Sequence, residues 1–317
     1  MSVLKRIDPM VRLLCGAIVV ALVLPVGGAM RDGAQFVSNA AVFLLFFLNG
    51  VRLPRHDVMA GITNHRLLWP LTLWCFGAMA LAGWALTLAG QGAMPPLLAL
   101  GFLYLGCLPS TVQSATAYSS LAGGNVASSV VAAALLNLLG VFITAPLFSL
   151  LAGSAGGGLH ADGLIKVAGI LLLPFILGQI AQGWLGGWVR DHRPIVTWMD
   201  RGSIAIAVYV AFSGAVQQQF WLRIDMTGWL WLLAGTGVML VFGHLGAWLL
   251  GGVLRLDRGN RISMLFAGAQ KSIAMGAPLA AVLFAADVAG VILLPILLYH
   301  LIQLVLAAPI AARLNRI

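Results

Sequence analysis

Residues 268–280 read GAQKSIAMGAPLA, and Lys271 puts a full ammonium charge into a stretch otherwise suited to the interior of a lipid bilayer. A central lysine opposes membrane insertion by something like 3 kcal/mol on translocon scales. Snorkelling, in which the stem lifts the charge to the interface, serves a lysine within about a turn of a span end. Lys271 has about eleven residues of apolar span before it and about fourteen after it. An ionisable group at that depth reads as a binding or coupling group. Gln270 and Ser272 flank it, with Gly268, Gly276 and Pro278 around the trio.

A second polar interruption has the same character. Residues 106–125 read GCLPSTVQSATAYSSLAGGN, where Pro109 lacks an N–H and disfavours helix at the residue before it. Ser110, Thr111, Gln113 and Ser114 cluster directly behind it. Each stretch reads as a helix that unwinds within the membrane and restarts, with Thr111 and Ser272 placed to cap the new N-termini. Irregular backbone at that depth survives only where it is buried in protein or lines a cavity, so the two breaks are expected to face each other. Asn137, in the span that follows the first break, joins the candidate group.

The chemistry that is missing narrows the reading. The chain has no glutamate, and its nine aspartates fall at span ends or in loops. No HExxH, phosphate-cradling GxxxxGK[ST] or paired CxxC occurs, which argues against an enzyme and against a metal centre. Of the histidines only His244 and His300 fall within spans; His300 is kept as a candidate site residue, and His244 reads as a helix-packing partner. Gln179, Gln182, Asn49 and Gln303 are read the same way, as hydrogen-bonding glue between helices. Gly77, Gly83, Gly235 and Gly237 permit close helix approach. Cys15, Cys75 and Cys107 lie in apolar runs and are expected to be free thiols.

These residues must be positioned by membrane helices. Of 317 residues 61% are apolar and 9% charged, where a water-soluble domain carries roughly a quarter charged. Apolar runs of about 20 residues, the length that crosses a bilayer, recur along the whole chain. They give ten spans: about 10–30, 34–51, 67–89, 95–121, 126–152, 163–187, 197–217, 227–253, 260–285 and 288–311. A signal peptide is the competing reading for the first, which follows Lys5 and Arg6. The net charge of +9 is spread singly over span ends, a topology signal and not a nucleic-acid patch. Fourteen basic residues, Lys5, Arg52, Arg190, Arg258 and Arg316 among them, fall on one set of ends, and three, Arg31, Lys166 and Arg223, on the other. Cytoplasmic loops keep Lys and Arg, so an even number of spans places both termini in the cytoplasm.

The small-residue stretch GSAGGGLHADG, 153–163, divides the chain into halves of five spans, 1–157 and 158–317, within one integral membrane domain. An odd number of spans per half makes the halves inverted repeats, a transporter signature with sites near the midplane. In both halves the interrupted span is the fourth.

The runs LPSTVQSATAYSSLAGGNVASSV, 108–130, and AGAQKSIAMGAPLA, 267–280, together resemble the bile acid:sodium symporter family, in its sodium/bile-acid-symporter-like branch. The resemblance extends over essentially the whole chain. It implies an all-α polytopic fold: ten helices as two inverted five-helix repeats, a panel and a core domain, and discontinuous helices 4 and 9 that cross. It also exposes a departure. Sodium-coupled members carry a glutamate four residues before a Gln-Asn pair in the ninth helix; the matching positions here are Phe266, Gln270 and Lys271. The family's Ser-Asn pair in the fourth helix matches Ser114 and Ala115, and the fifth-helix hydroxyl positions match Ala133, Ala134, Leu136 and Asn137.

Sodium needs several oxygen ligands and gains from a carboxylate, which this set lacks. The expectation is therefore that the sodium site is lost and that the Lys271 ammonium stands where the coupling cation would sit, donating to fourth-helix carbonyls and to Ser114 or Asn137. The leading function is a secondary transporter of the bacterial inner membrane that moves a small or amphipathic organic anion by alternating access without sodium. Two mechanisms remain open: a permanently charged Lys271 suits a uniporter or exchanger, and a cycling one suits proton coupling, with H+ as the coupling ion. The alternatives are a sodium symporter with a site rebuilt from Gln270, Ser114 and backbone carbonyls, and a transport-inactive membrane regulator. Arsenite extrusion through Cys107 would need a fuller ligand set. The expected partners are the bilayer and a small anion; no other cofactor is implied, and nothing in the sequence fixes the oligomeric state.

Overall fold

The computed structural model describes residues 9–52, 65–153, 168–219 and 224–316, and among these every regular element is helical. In chain order they are α1 (Pro9–Val23), α2 (Arg31–Arg52), α3 (His65–Ala89), α4 (Pro96–Cys107), α5 (Gln113–Leu121) and α6 (Val126–Ala152). Then come α7 (Leu173–Asp191), α8 (Arg193–Gln217), α9 (Met226–Val253), α10 (Arg258–Ala269), α11 (Ile273–Leu283) and α12 (Ala286–Leu314). Seven helical stretches among the described residues are long and apolar enough to cross a membrane; α1 and α4 are shorter apolar helices.

The two expected interruptions are present. The span read at 95–121 consists of α4 and α5 with non-helical backbone at 108–112, and the span read at 260–285 consists of α10 and α11 with non-helical backbone at 270–272. The first span is shorter than the expected 10–30. Pro25 biases Leu24 away from helix, α1 stops at Val23, and Gly28–Met30 form a separate 3₁₀ turn before α2. Lys5, Arg6, Arg55, Lys166 and Arg223, and the linker beyond Gly153, lie outside the described residues.

The chain separates into two compact units, and each draws on both sides of the 153–163 stretch. One takes residues 1–53, 159–225 and 277–293; the other takes 54–158, 226–276 and 294–317. In the first unit α2 and α7 pack backbone to backbone. A Cβ on Gly178 would stand 2.1 Å from the Phe47 carbonyl oxygen, and one on Gly50 2.3 Å from that of Phe175. Gln179 and Gln182 donate to the Gly50 and Val51 carbonyls, the packing role expected of them. Arg52 at the end of α2 pairs with Asp200 on α8.

The second unit holds both breaks, and small residues set how closely its helices approach. A Cβ on Gly83 of α3 would lie 2.6 Å from the Phe102 carbonyl oxygen of α4, and one on Gly106 2.5 Å from that of Met79. Gly235 on α9 leaves room for the Phe102 ring. Gly77 and Gly237 face open space, so only Gly83 and Gly235 of the four glycines serve the close packing expected of them. Gly77 instead lies in a π turn, Trp74–Ala78, that interrupts α3. Asp257 caps α10 by accepting from the Asn260 N–H at 3.0 Å, and that bond holds its carboxyl below the usual carboxylate range.

Backbone contact at Gly83 leaves no flexible side chain to give way. Gly83→Val should therefore lower the unfolding free energy by about 2–3 kcal/mol, read as a drop in melting temperature of detergent-purified protein. The same substitution at Gly237, which meets nothing, should be far milder.

Candidate functional site

The two breaks meet. The Ser272 N–H donates to the Pro109 carbonyl at 3.0 Å, and the Thr111 hydroxyl donates to Gln270 Oε1 at 3.2 Å. Ser114 Oγ lies against both Gln270 Oε1 and Thr111 Oγ1, so three side-chain oxygens converge. Gln270 Nε2 is buried with no partner among the described residues. Two helices thus end at this place, α4 and α10, and two begin, α5 and α11.

Helix starts and stops leave backbone groups unpaired, and here those groups are used. Ser272 accepts from the Met275 N–H at 3.2 Å and caps α11 as expected. Thr111 caps α5 only weakly: the helix begins one residue later, after Val112, and Thr111 Oγ1 accepts from the Ala115 N–H at 3.4 Å. Pro109 docks against α6, where Gly140 makes space; a Cβ there would lie 2.6 Å from the proline ring.

Lys271 is 1% exposed, and its Nζ donates three hydrogen bonds, all to backbone carbonyls: Cys75 at 3.0 Å, Gly106 at 2.9 Å and Leu108 at 2.6 Å. Three acceptors match the three N–H groups of an ammonium, with no carboxylate among them. Gly106 and Leu108 belong to the last turn and cap of α4, whose C-terminus carries a partial negative charge. Cys75 lies in the π turn of α3, where the widened helix lets a side chain approach the backbone. The close packing of α3 on α4 through Gly83 and Gly106 brings these carbonyls together. The expected partners Ser114 and Asn137 are engaged elsewhere. Ser114 bonds Gln270, and Asn137 donates to the carbonyls of Ser110 at 2.7 Å and Ala133 at 3.0 Å. The expected fourth-helix carbonyls do accept, at the open end of α4, and the π turn of α3 supplies the third acceptor.

Gln113, the first residue of α5, has an exposed side chain and does not join this group. His300 joins it indirectly, through Gln303. Gln303 accepts from the Lys271 N–H at 2.8 Å and donates to the Lys271 carbonyl at 3.1 Å, and its Nε2 also lies 2.9 Å from His300 Nδ1. Tyr299 donates to the Ala269 carbonyl and Tyr104 to that of Gly276 at 2.8 Å, holding both rims of the second break. The one sequence signal for Gln303 was its spacing of three from His300 within an apolar helix.

A profile of the SBF-like CPA transporter family matches residues 8–316. The chain belongs to that family. The family is one of transporters and not an enzyme class, and this member is an integral membrane protein. An uncharacterized protein of Pseudomonas aeruginosa is 38% identical over 304 residues, covering 96% of this chain and 91% of its own. YfeH of Escherichia coli is 33% identical over 320 residues, 100% of this chain and 95% of its own. The rat protein named sodium/bile acid cotransporter 7 is 24% identical over 299 residues, 89% of this chain and 84% of its own.

Removing the ammonium leaves three buried carbonyls short of a donor, at about 1–3 kcal/mol for each group left unsatisfied. Lys271→Met should lower stability by at least about 2 kcal/mol, part of the loss being offset by the desolvation the methionine avoids. A variant that melts with the parent would show that these carbonyls do not need the ammonium.

Proposed function

We propose that this transporter moves a small or amphipathic organic anion by alternating access without sodium, with Lys271 standing in place of a coupling cation. The observation that supports this most directly is the seat of the Lys271 ammonium on three backbone carbonyls at a junction of helix ends. A metal cation would seek such oxygens, and here a covalently attached cation has them. The N-termini of α5 and α11 open on the same junction with positive partial charge, which favours an anionic ligand. Gln270 Nε2, a buried donor without a partner among the described residues, supplies a hydrogen bond for that ligand once the site opens.

On this reading the ten spans form two inverted five-helix repeats, 1–157 and 158–317, with helices 4 and 9 crossing and the two compact units acting as panel and core. The protein resides in a bacterial inner membrane, as the bacterial relatives favour, with both termini cytoplasmic. The transported anion could exchange freely, or move with a proton if Lys271 cycles; Lys271→Arg, which holds its charge at every working pH, separates the two. If Lys271 remains charged throughout, flux keeps its pH profile in that variant; if it cycles, the variant loses pH-driven flux.

The convergence of Thr111, Ser114 and Gln270 oxygens favours a second reading, a sodium site rebuilt without a carboxylate. Melting temperatures in sodium and choline chloride decide between them. The built-in cation predicts no sodium effect on the wild type and a sodium-dependent rise in Lys271→Asn, where the carbonyls are freed. A sodium-stabilised wild type would overturn it. In proteoliposomes holding choline salts, uptake from a mixture of a bile acid, a keto acid and a sulfated metabolite should proceed without sodium. Fluorescent-protein fusions at both ends should fluoresce, since the fused domain folds in the cytoplasm.

A further inference from the structure

The Lys271 peptide sits in a break where no helical ladder holds it, yet both its N–H and its carbonyl are paired. The side-chain amide of Gln303 takes both. A backbone N–H can only donate, so the contact at 2.8 Å fixes Oε1 as the atom facing it and Nε2 as the atom facing the Lys271 carbonyl. The remaining hydrogen of Nε2 then points to His300 Nδ1, 2.9 Å away, which must accept it. That sequence of donors settles the tautomer: His300 carries no proton on Nδ1. Gln303 is fully buried and His300 nearly so.

Tyr299, His300 and Gln303 are neighbours on α12, and Ile296 one turn earlier lies beside Gly276. The helix is thus a rail along the second break, touching the carbonyl of Ala269, both polar groups of Lys271 and the space at Gly276. We propose that Gln303, oriented by His300, is a positioning residue for Lys271: it fixes the peptide from which the side chain must reach the Cys75, Gly106 and Leu108 carbonyls. The proposal rests on the reading of Lys271 as a built-in cation. A long flexible ammonium finds one set of carbonyls only if its own backbone is held, and in this break the holding comes from α12.

Two measurements on purified full-length protein test it. Hydrogen exchange followed by mass spectrometry reads the clamp directly. Gln303→Leu and His300→Leu should speed exchange in the peptide covering residues 270–276 at least tenfold, leaving α6 and α9 unchanged. His300→Asn should keep wild-type protection, because its side-chain oxygen reaches the place of Nδ1. A mere packing role predicts the reverse order, with buried leucine tolerated better than asparagine. Unchanged exchange at 270–276 in Gln303→Leu overturns the proposal, as does leucine outperforming asparagine at 300.

The second measurement is the melting temperature in sodium against choline chloride. A displaced ammonium frees its carbonyls, so Gln303→Leu and His300→Leu should become sodium-responsive like Lys271→Asn, whereas His300→Asn should not. If Lys271→Asn responds to sodium and Gln303→Leu does not, the positioning role falls and the built-in cation stands. If the wild type itself responds to sodium, the built-in cation falls, and the exchange experiment still decides whether Gln303 holds the break.

Discussion

A buried ammonium without a carboxylate is the constraint around which the second unit is arranged. It must donate three hydrogen bonds, and in an apolar interior the only acceptors available in number are backbone carbonyls. Regular helices keep theirs occupied. The lysine's acceptors accordingly lie where regular helical pairing fails: at the end of α4, which stops at Cys107 with Leu108 as its cap, and in the π turn of α3 at Cys75. Each break would be costly alone in a membrane, where an unpaired backbone group has no water to turn to. The lysine and the breaks stabilise each other.

The same accounting explains the surrounding polar residues. Asn137 takes up the Ser110 carbonyl, Ser272 the Met275 N–H, Tyr299 the Ala269 carbonyl and Tyr104 that of Gly276. Of the residues named from the sequence, Lys271, Asn137 and Ser272 thus serve backbone groups left open at the breaks, and Tyr104 and Tyr299, which the sequence did not mark, do the same. Gln270 differs, with one end bonded to Thr111 and Ser114 and the other without a partner among the described residues. Close helix approach through glycines 83 and 106 supplies the remaining requirement, rigid placement of the acceptors.

The family's usual arrangement, as implied by the resemblance, relies on an acidic side chain to balance a mobile cation. Phe266 is fully buried at the corresponding position and stacks on Tyr118 at 5.9 Å. Substituting an aromatic ring for a carboxylate removes a negative charge, and placing lysine at 271 adds a positive one. On the proposed reading the two differences are electrostatically consistent: a covalently held cation would need no acidic partner, with backbone dipoles in its place.

Much of this could be read from the residues in order. Composition and the length of apolar runs determined the helical membrane character, because nothing else tolerates 61% apolar residues with 9% charged. Pro109 and the Gly and Pro residues near Lys271 located both breaks, since proline and glycine act on the backbone of their own segment. What they could not reveal was the partner of each freed group. Cys75 contributes a carbonyl, which every residue has, so no residue type announces it. Gln303 looked like any helix-packing amide, and only the approach of α12 to residues 269–271 turned it into a clamp. Local sequence decides where a helix must stop; the tertiary structure alone decides what meets the groups it leaves open, because hydrogen-bond partners across helices are set by distance in space and carry no mark along the chain.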